Sequence, residues 1–580
     1  MSVFKQKNAI ASAEFKRFTG IDTTAPHREE RAALDMVNFR VLLDGSLKKR
    51  SGYTPIAICP EIIRASWTGK LGGKEQTFIV YGGKIARIDF DTRSVVNIGS
   101  TPKGAGNIKF VYFNSNLYMM NSEFIYLVTE NDASIVEGYV PLYGKDWLIA
   151  TRGEVNEQVN LATRHIRMTY TVNEELIYLI VDHVISNIDA VYINDELITD
   201  TSRYYYDQKL KCVCVLNLKL GDHVELFLTI SNQSIDTSAL YSCKHSAVYS
   251  DHSNNTLLLW GGYEKNKILA SHTFDKEAYE ASKKLYKNLA PLYIPSDAAF
   301  VLPEEDRTIT AICRHYDRLL IFTDRDAWMT NLLSEKQRPL EPITVNSSHG
   351  CTSKQGTVMC GNDPITIGDG EVLRWTADTD ELNECNAHSI SSQITSMLTS
   401  SFFKNAVILL DKEHSEILFS DPNDANGTLW IYNYTLECWY KFDNVGAEAM
   451  FIRDGQLGFI RKTAVYLFDN AIGHDQSFDG STKEITATYE SYPTDLLIAG
   501  NKKRLCGMTL NANPCKGSIK LEYISEAKKL ASASIKSESI YPSSFTRRLT
   551  SERFSYVSLR LVCDGEYAPR IYSTSVWAKP

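Results

Sequence analysis

The stretch 420–430, SDPNDANGTLW, is the first place where residue type and spacing suggest chemistry. Its acids and amides approach the calcium-loop pattern D-x-[DN]-x-[DN]-G. Ala425 stands where an oxygen ligand is required, and no Glu follows at the needed distance. The stretch therefore reads as a hairpin turn whose acids accept backbone hydrogen bonds.

Glycosidase chemistry needs two carboxylates placed across one bond. The 70 Asp and Glu residues offer many pairs and single out none. Most lie in turn-like runs such as 324–326 and 378–381, where a carboxylate caps backbone N–H groups. The 12 histidines show no HExxH or ordered Cys/His spacing, and His315 and His349 fall in expected turns. No phosphate-cradling GxxxxGK[ST] or GxGxxG and no GxSxG nucleophile elbow occurs; the glycines of 69–74 form a hairpin turn. Asn426 and Asn433 begin glycosylation sequons that strand composition alone would generate. No catalytic, cofactor-binding or metal-binding residue is assigned, and no cofactor is expected.

Two basic triplets remain: Lys48, Lys49 and Arg50, and Lys502, Lys503 and Arg504. Each could face a phosphate-bearing partner or an acidic neighbouring subunit. Each could equally be a solvated strand end.

The elements that would position these residues are strands. Stretch 407–442 holds four short apolar runs separated by DKEHSE, SDPNDANG and TLE. Runs of β-branched and aromatic residues broken by Asp, Asn, Gly and Pro predict antiparallel hairpins. Such a four-stranded sheet cannot bury both faces alone, so it must stack on others like itself. The rhythm recurs around Gly82-Gly83, Asn114 to Asn116, 309–331, 347–376 and 447–469. Six or seven blade-like units of a β-propeller are counted between 60 and 470. Around 430–439, Trp430, Tyr432 and Trp439 alternate with other residues, so some must point into a core.

The expected fold is all-β: a propeller carrying an inserted β-domain and a C-terminal β-sandwich. The expected boundaries are 1–58 for an N-terminal arm and strand and 59–140 for the first part of the propeller. The insert is 141–236, the second part of the propeller 237–475 and the sandwich 476–580. Asp44-Gly45 predicts a type I′ hairpin. Stretch 276–288, KEAYEASKKLYKN, predicts an amphipathic helix ended by Pro291, after an N-terminal break at Pro26.

Composition sets limits. At 43% hydrophobic residues a chain of 580 can bury a large core without metals. A net charge of −8 with no long basic run argues against free nucleic acid as the main ligand. The 12 cysteines lack CxxC spacing and read as reduced and buried, as in a protein made in the cytosol. No apolar run approaches the ~18 residues of a membrane helix, and residues 1–15 lack the apolar core of a secretion signal.

Stretch 38–53, NFRVLLDGSLKKRSGY, resembles the N-terminal strand-turn of bacteriophage tail hub or nozzle (tail stabilisation) proteins, with Ser51 where that family usually has proline. DRLLIFTDRDAWM at 317–329, Gly350-Cys351 and PITIGDGEVLRWT at 364–376 are similar to consecutive blades of that family, and 429–442 to a further blade edge. The resemblance implies a virion tail protein made in the host bacterial cytoplasm. It would form a ring of identical subunits, six in number, on the portal-adaptor axis. Its partners would be the portal adaptor and tail fibre or tail needle proteins, with genomic DNA passing transiently during ejection. The insert and the sandwich would touch neighbours or fibres, and the two basic triplets would lie at subunit contacts or on the channel. Two alternatives remain: a carbohydrate-binding or glycoside-cleaving propeller on a phage tail, stacking sugars on Trp430, Tyr432 and Trp439, or a cellular scaffold propeller. Asp-box turns of the kind found in sialidase propellers would suit the former fold, and fixed-period WD or kelch signatures would mark the latter.

Overall fold

A computed structural model of the chain describes residues 10–24, 32–146, 155–173, 178–250, 255–316, 318–330, 342–353, 355–376, 386–496, 502–515, 517–526 and 528–579. Pro26, Asp317 and the acidic run 378–381 lie outside the described residues.

The regular structure of the described chain is nearly all strand. Tight reversals explain why. Gly72-Gly73, Gly82-Gly83, Asn114-Ser115, Asn194-Asp195 and Asp454-Gly455 take consecutive positive φ angles, the geometry of two-residue type I′ loops whose twist matches the strands they join. At Asp44-Gly45 only the glycine has positive φ (+77°). Gly45 N–H donates to Leu42 O and Leu42 N–H to Ser46 O, so this hairpin is a longer, bulged loop rather than type I′. Asp44 Oδ1 accepts Ser46 N–H at 3.0 Å, a role that a right-handed Asp serves well.

Four-stranded antiparallel sheets follow one another along the chain. The first comprises Ile63–Leu71, Lys74–Tyr81, Lys84–Asp89 and Ser94–Ser100. The second opens with Lys109–Phe113, the third with His245–Ser250, the fourth with Ile309–His315 and the fifth with Thr357–Cys360. A sixth run comprises Val407–Asp411, Glu416–Ser420, Leu429–Asn433 and Cys438–Phe442. The seventh takes Ala449–Arg453, Gln456–Arg461 and Ala464–Asp469 and adds Gly52–Ile58 as its fourth strand. The opening strand of each run touches the opening strand of the next, and Ala449–Arg453 returns to Ile63–Leu71. This is a propeller-like order of sheets.

Between the second and third runs lie a five-stranded sheet (Leu142–Lys145, His165–Thr171, His223–Ile230, Ile185–Ile193, Glu196–Leu197) and a three-stranded one (Tyr178–Ile180, Cys212–Val215, Tyr204–Asp207). Their core is continuous with that of the flanking sheets: Met168, Val191 and Leu226 cluster with Tyr118 and Leu259. The helix expected over 276–288 stops after Lys276–Ser282. Asp275 caps its start through Glu277 and Ala278 N–H. At its end Ser282 Oγ bonds back to Ala278 O, and the chain turns so that Tyr286 can reach Asp189.

At the C-terminal end two sheets face each other. One joins the sixth run through Ala33–Val37 to Ala487–Ser491, Ser558–Asp564, Ser518–Ser525 and Lys528–Lys536. The other contains Phe39–Val41, Leu47–Lys49, Arg570–Lys579, Arg504–Asn513 and Ser543–Arg548, with Ala11–Lys16 on Arg570–Lys579. Leu521, Leu561, Met508, Leu510 and Val576 share one core between them. The N-terminal residues are therefore not a separate arm. They supply the linking strand Ala33–Val37, three strands of the second sheet and the strand that completes the seventh run.

Candidate functional site at the closing strand

Residues 38–53 run from the C-terminal sheets to the closing strand, and their side chains knit three bodies together. Asn38 sits at φ +58°, a left-handed position that asparagine tolerates. Its Nδ2 donates to Asp443 Oδ1 and Thr486 O, each at 2.8 Å. Its Oδ1 accepts Arg50 Nε at 2.8 Å and Asp443 N–H at 3.1 Å. Arg50 grips Asp475 with both terminal nitrogens and donates once more to Asp443 O at 3.1 Å. Its guanidinium lies 5.8 Å from the Phe442 ring and 5.9 Å from that of Phe468. Tyr53 donates to Asn444 O at 2.7 Å. Burial first and the Asp475 charge second push its phenol up to about 12.

A small cavity opens beside this segment, lined among others by Arg40, Lys48, Asp411, His414, Gln456 and Asn470. Glu416 is fully buried and takes Arg40 Nε at 2.7 Å and Nη2 at 3.0 Å, with the Tyr440 hydroxyl on the same carboxylate. Burial, the largest single effect, would lower the Arg40 pKa; the pull of Glu416, Tyr440 and Asp411 together outweighs it and raises it. Asp411 holds His414 Nδ1 at 2.7 Å and caps the backbone of Glu413 and His414. Burial would raise the Asp411 carboxyl, but the His414 ring and backbone bonds hold it below the usual range. One donor atom each from Asp411, His414 and Glu416 lies within 4.8 Å of the others. These residues do not fit a metal: Glu416 is already saturated by Arg40 and Tyr440, and a cation would have to displace a guanidinium.

The basic triplets split by alternation. Lys48 is exposed, whereas Lys49 and Arg50 are 1% and 4% exposed. Lys49 Nζ donates to Gly565 O, and burial pulls its pKa down. Lys502 and Arg504 are exposed, whereas Lys503 is fully buried, with Nζ 3.4 Å from Ser555 O and a pKa lowered by burial. Lys49, Arg50 and Lys503 thus turn inward within the chain. The expectation that they meet a neighbouring subunit or a channel is corrected: Lys49 and Lys503 take the inward side of an alternating pattern, and Arg50, past the strand end, is drawn in by Asp475. The sugar-stacking expectation fails because strands Leu429–Asn433 and Cys438–Phe442 are covered on both faces: Trp430, Tyr432 and Trp439 are 8%, 6% and 0% exposed.

In 420–430 the carboxylates are spent on the turn. Asp421 Oδ1 accepts Asn423 N–H at 3.0 Å, and Asp424 accepts Asn426 and Thr428 N–H at 3.1 and 2.8 Å. His315 ends a strand rather than sitting in a turn, and it is 9% exposed. Cys212 and Cys214 share one face with their sulfurs 3.9 Å apart.

A second titratable cluster docks the insert. His165 contacts Asp189 at 3.1 Å and Glu137 at 3.2 Å, and its ring stacks on Tyr286 with centroids 4.1 Å apart. Burial would lower the His165 pKa; the two carboxylates reverse that and raise it to about 9. Sequence reasoning missed this cluster and also Arg40, Asn38, Glu416 and Asp475. Only Asn38 and Arg40 carried a local signal, as members of the 38–53 segment.

No family model matches the sequence, and neither does any curated protein. Among solved structures, the chain is similar to the extracellular domain of the one-component system BT4673 from B. thetaiotaomicron. That match has 8% identity and a TM-score of 0.26, covering 91% of this chain and 80% of that one. It is also similar to the Neurospora crassa Pan2 WD40 domain, at 7% identity and TM-score 0.35, covering 73% and 97%. Kluyveromyces lactis Hsv2 matches at 8% identity and TM-score 0.25, covering 66% and 98%. At TM-scores this low the likeness speaks to neither function nor partner.

Proposed function

We propose that this chain is a structural protein of a bacteriophage tail, a nozzle or hub subunit. In this reading the seven runs are blades of one closed propeller. Six copies form a ring that extends the portal-adaptor channel and conducts DNA during ejection, while tail fibre or needle proteins dock on its outer domains.

One observation carries the reading. The segment that resembles the tail family, 38–53, is built here as a clasp: Asn38 and Arg50 tie the sixth run, the closing strand and the C-terminal sheets into one body. Arg40, Lys49 and Arg50 of the motif are spent on rigidity, as suits a protein whose task is shape. The unbroken cycle of contacts among the seven opening strands supports the blade count.

The test is native mass spectrometry and negative-stain imaging of the purified full chain, together with peptide identification in purified virions of the source phage. A closed ring of six copies and recovery of the chain from the particle are expected. A chain that stays monomeric at high concentration and is missing from the particle overturns the reading.

A further inference from the structure

The outer face of the second C-terminal sheet carries a constellation that the proposed function does not use. On that face the Trp577 indole packs directly on Gly507. A Cβ at Gly507 would fall 2.5 Å from the indole, so only glycine lets the ring rest against the backbone. Trp577 is nonetheless not fully buried, whereas its strand neighbours Val576 and Ala578 are 1% and 0% exposed on the core side.

Strand register fixes what surrounds it. Gly507 pairs with Arg548 on one side and Trp577 on the other, and Trp577 pairs with Ser12. One side-chain step along the same face, Arg504 pairs with Lys579. Two cations directly across a strand pair repel and destabilise a sheet. Arg504, Arg548 and Lys579 are all exposed, and none is ion-paired with an acid among the described residues. The acid of the adjoining edge strand, Glu14, is held by Lys16 at 2.8 Å. In the other direction the face continues as hydroxyls and amides: Thr509 with Thr546, and Asn511 with Ser573.

We propose that this face binds an anionic glycan. The C–H face of a pyranose ring is flat and apolar and stacks on an indole. Its ring hydroxyls meet the Ser, Thr and Asn side chains, and its carboxylate or sulfate substituents meet Arg504, Arg548 and Lys579, which provide the charge complementarity. A nucleic acid would also suit the cations, and hydroxyls bind phosphates too, but a phosphate backbone calls for cations along its whole track, whereas here Arg504, Lys579 and Arg548 gather at the Trp577 end and the face continues as hydroxyls and amides. The proposal is independent of the tail reading: a monomer could bear the site, and a ring could lack the activity.

The test is isothermal titration of the full-length protein with oligogalacturonate, a heparin-derived oligosaccharide, neutral dextran and oligothymidylate, at low and raised salt. Binding of the uronate or the sulfated oligomer is expected, weakened by salt, with no binding of dextran. Trp577→Ala, and Gly507→Ala acting by displacing the indole, are each expected to weaken it by about tenfold. Arg548→Gln, an exposed change that leaves the core untouched, is expected to weaken it and flatten its salt dependence. Whichever charged oligomer binds identifies the substituent, carboxylate or sulfate. The proposal is overturned if neither charged glycan binds, if Trp577→Ala and Arg548→Gln both bind like the parent, or if oligothymidylate binds as tightly as the glycan.

Discussion

Arg50 holds both carboxylate oxygens of Asp475, at 2.8 and 2.7 Å, across 425 residues of sequence. Their side chains are 1% and 3% exposed, so neither charge has water to fall back on. Removing one partner of a buried pair typically costs about 3–5 kcal/mol, because the other is left uncompensated. Arg50→Ala and Asp475→Ala should each lower stability by that order, measured by urea denaturation. The double variant should cost less than the sum, since the stranded charge is gone. Arg50→Lys should rescue little, because a point charge cannot serve Asn38, Asp443 and Asp475 together.

Gly52 starts the closing strand, and its role is close approach. Its N–H donates to Ile472 O at 2.8 Å, and a Cβ there would lie 1.8 Å from His474 O. The backbone must give way, so Gly52→Ala is expected to cost at least about 2 kcal/mol. Gly104→Ala tests a different effect: nothing lies within 4 Å of a Cβ there, and only its φ of +92° is strained. Melting curves should place Gly52→Ala well below both Gly104→Ala and the parent. Equal curves for Gly52→Ala and the parent would contradict the close contact with His474.

The strands were legible in the sequence because their signals are local. Gly82-Gly83 and Asp454-Gly455 announce reversals within four residues, and the apolar runs of 407–442 match the sixth run strand for strand. The destinations of the strands were not legible. Nothing in 52–58 says that its partner lies at 464–469, or that 33–37 bridges 438–442 to 487–491. The basic triplets were misread for a related reason. Composition marks three cations, but alternation turns Lys49 and Lys503 inward, and only the fold supplies Asp475 for Arg50. Trp439 carried the same ambiguity: its indole N–H reaches Ile390 O at 2.6 Å inside the core, not a sugar at the surface.

His165 makes stability depend on pH. Its pKa rises from 6.5 to about 9 on folding, so the folded state holds the proton more tightly. The contribution is full below about pH 6.5 and is lost as pH rises through about 9. Glu137 is about half exposed, which weakens its share. A fall of about 1–2 kcal/mol between pH 7 and pH 9 is expected from this group, read from denaturation midpoints. His165→Gln should be less stable at pH 7 and should lack this fall. A variant with the parent's pH profile would show that the cluster does not clamp the insert.

Lys109 should behave in the opposite sense. It is 9% exposed, its Nζ donates to Cys243 O at 2.6 Å, and burial lowers its pKa from 10.5 to about 8. Between those values the unfolded chain binds more protons, so this group makes stability rise with pH from about 8 to about 10.5. Lys109→Met keeps the aliphatic stem and removes the cost of burying charge, while leaving the Cys243 carbonyl one donor short. An unpaired buried carbonyl costs about 1–3 kcal/mol, close to what the lost desolvation returns. The expected result at pH 7 is therefore a stability within about 1 kcal/mol of the parent or above it, with no rise toward pH 10 from this position. A loss beyond about 2 kcal/mol at pH 7 would mean that the bond to Cys243, which joins the second sheet to the third, is worth more than the buried charge costs.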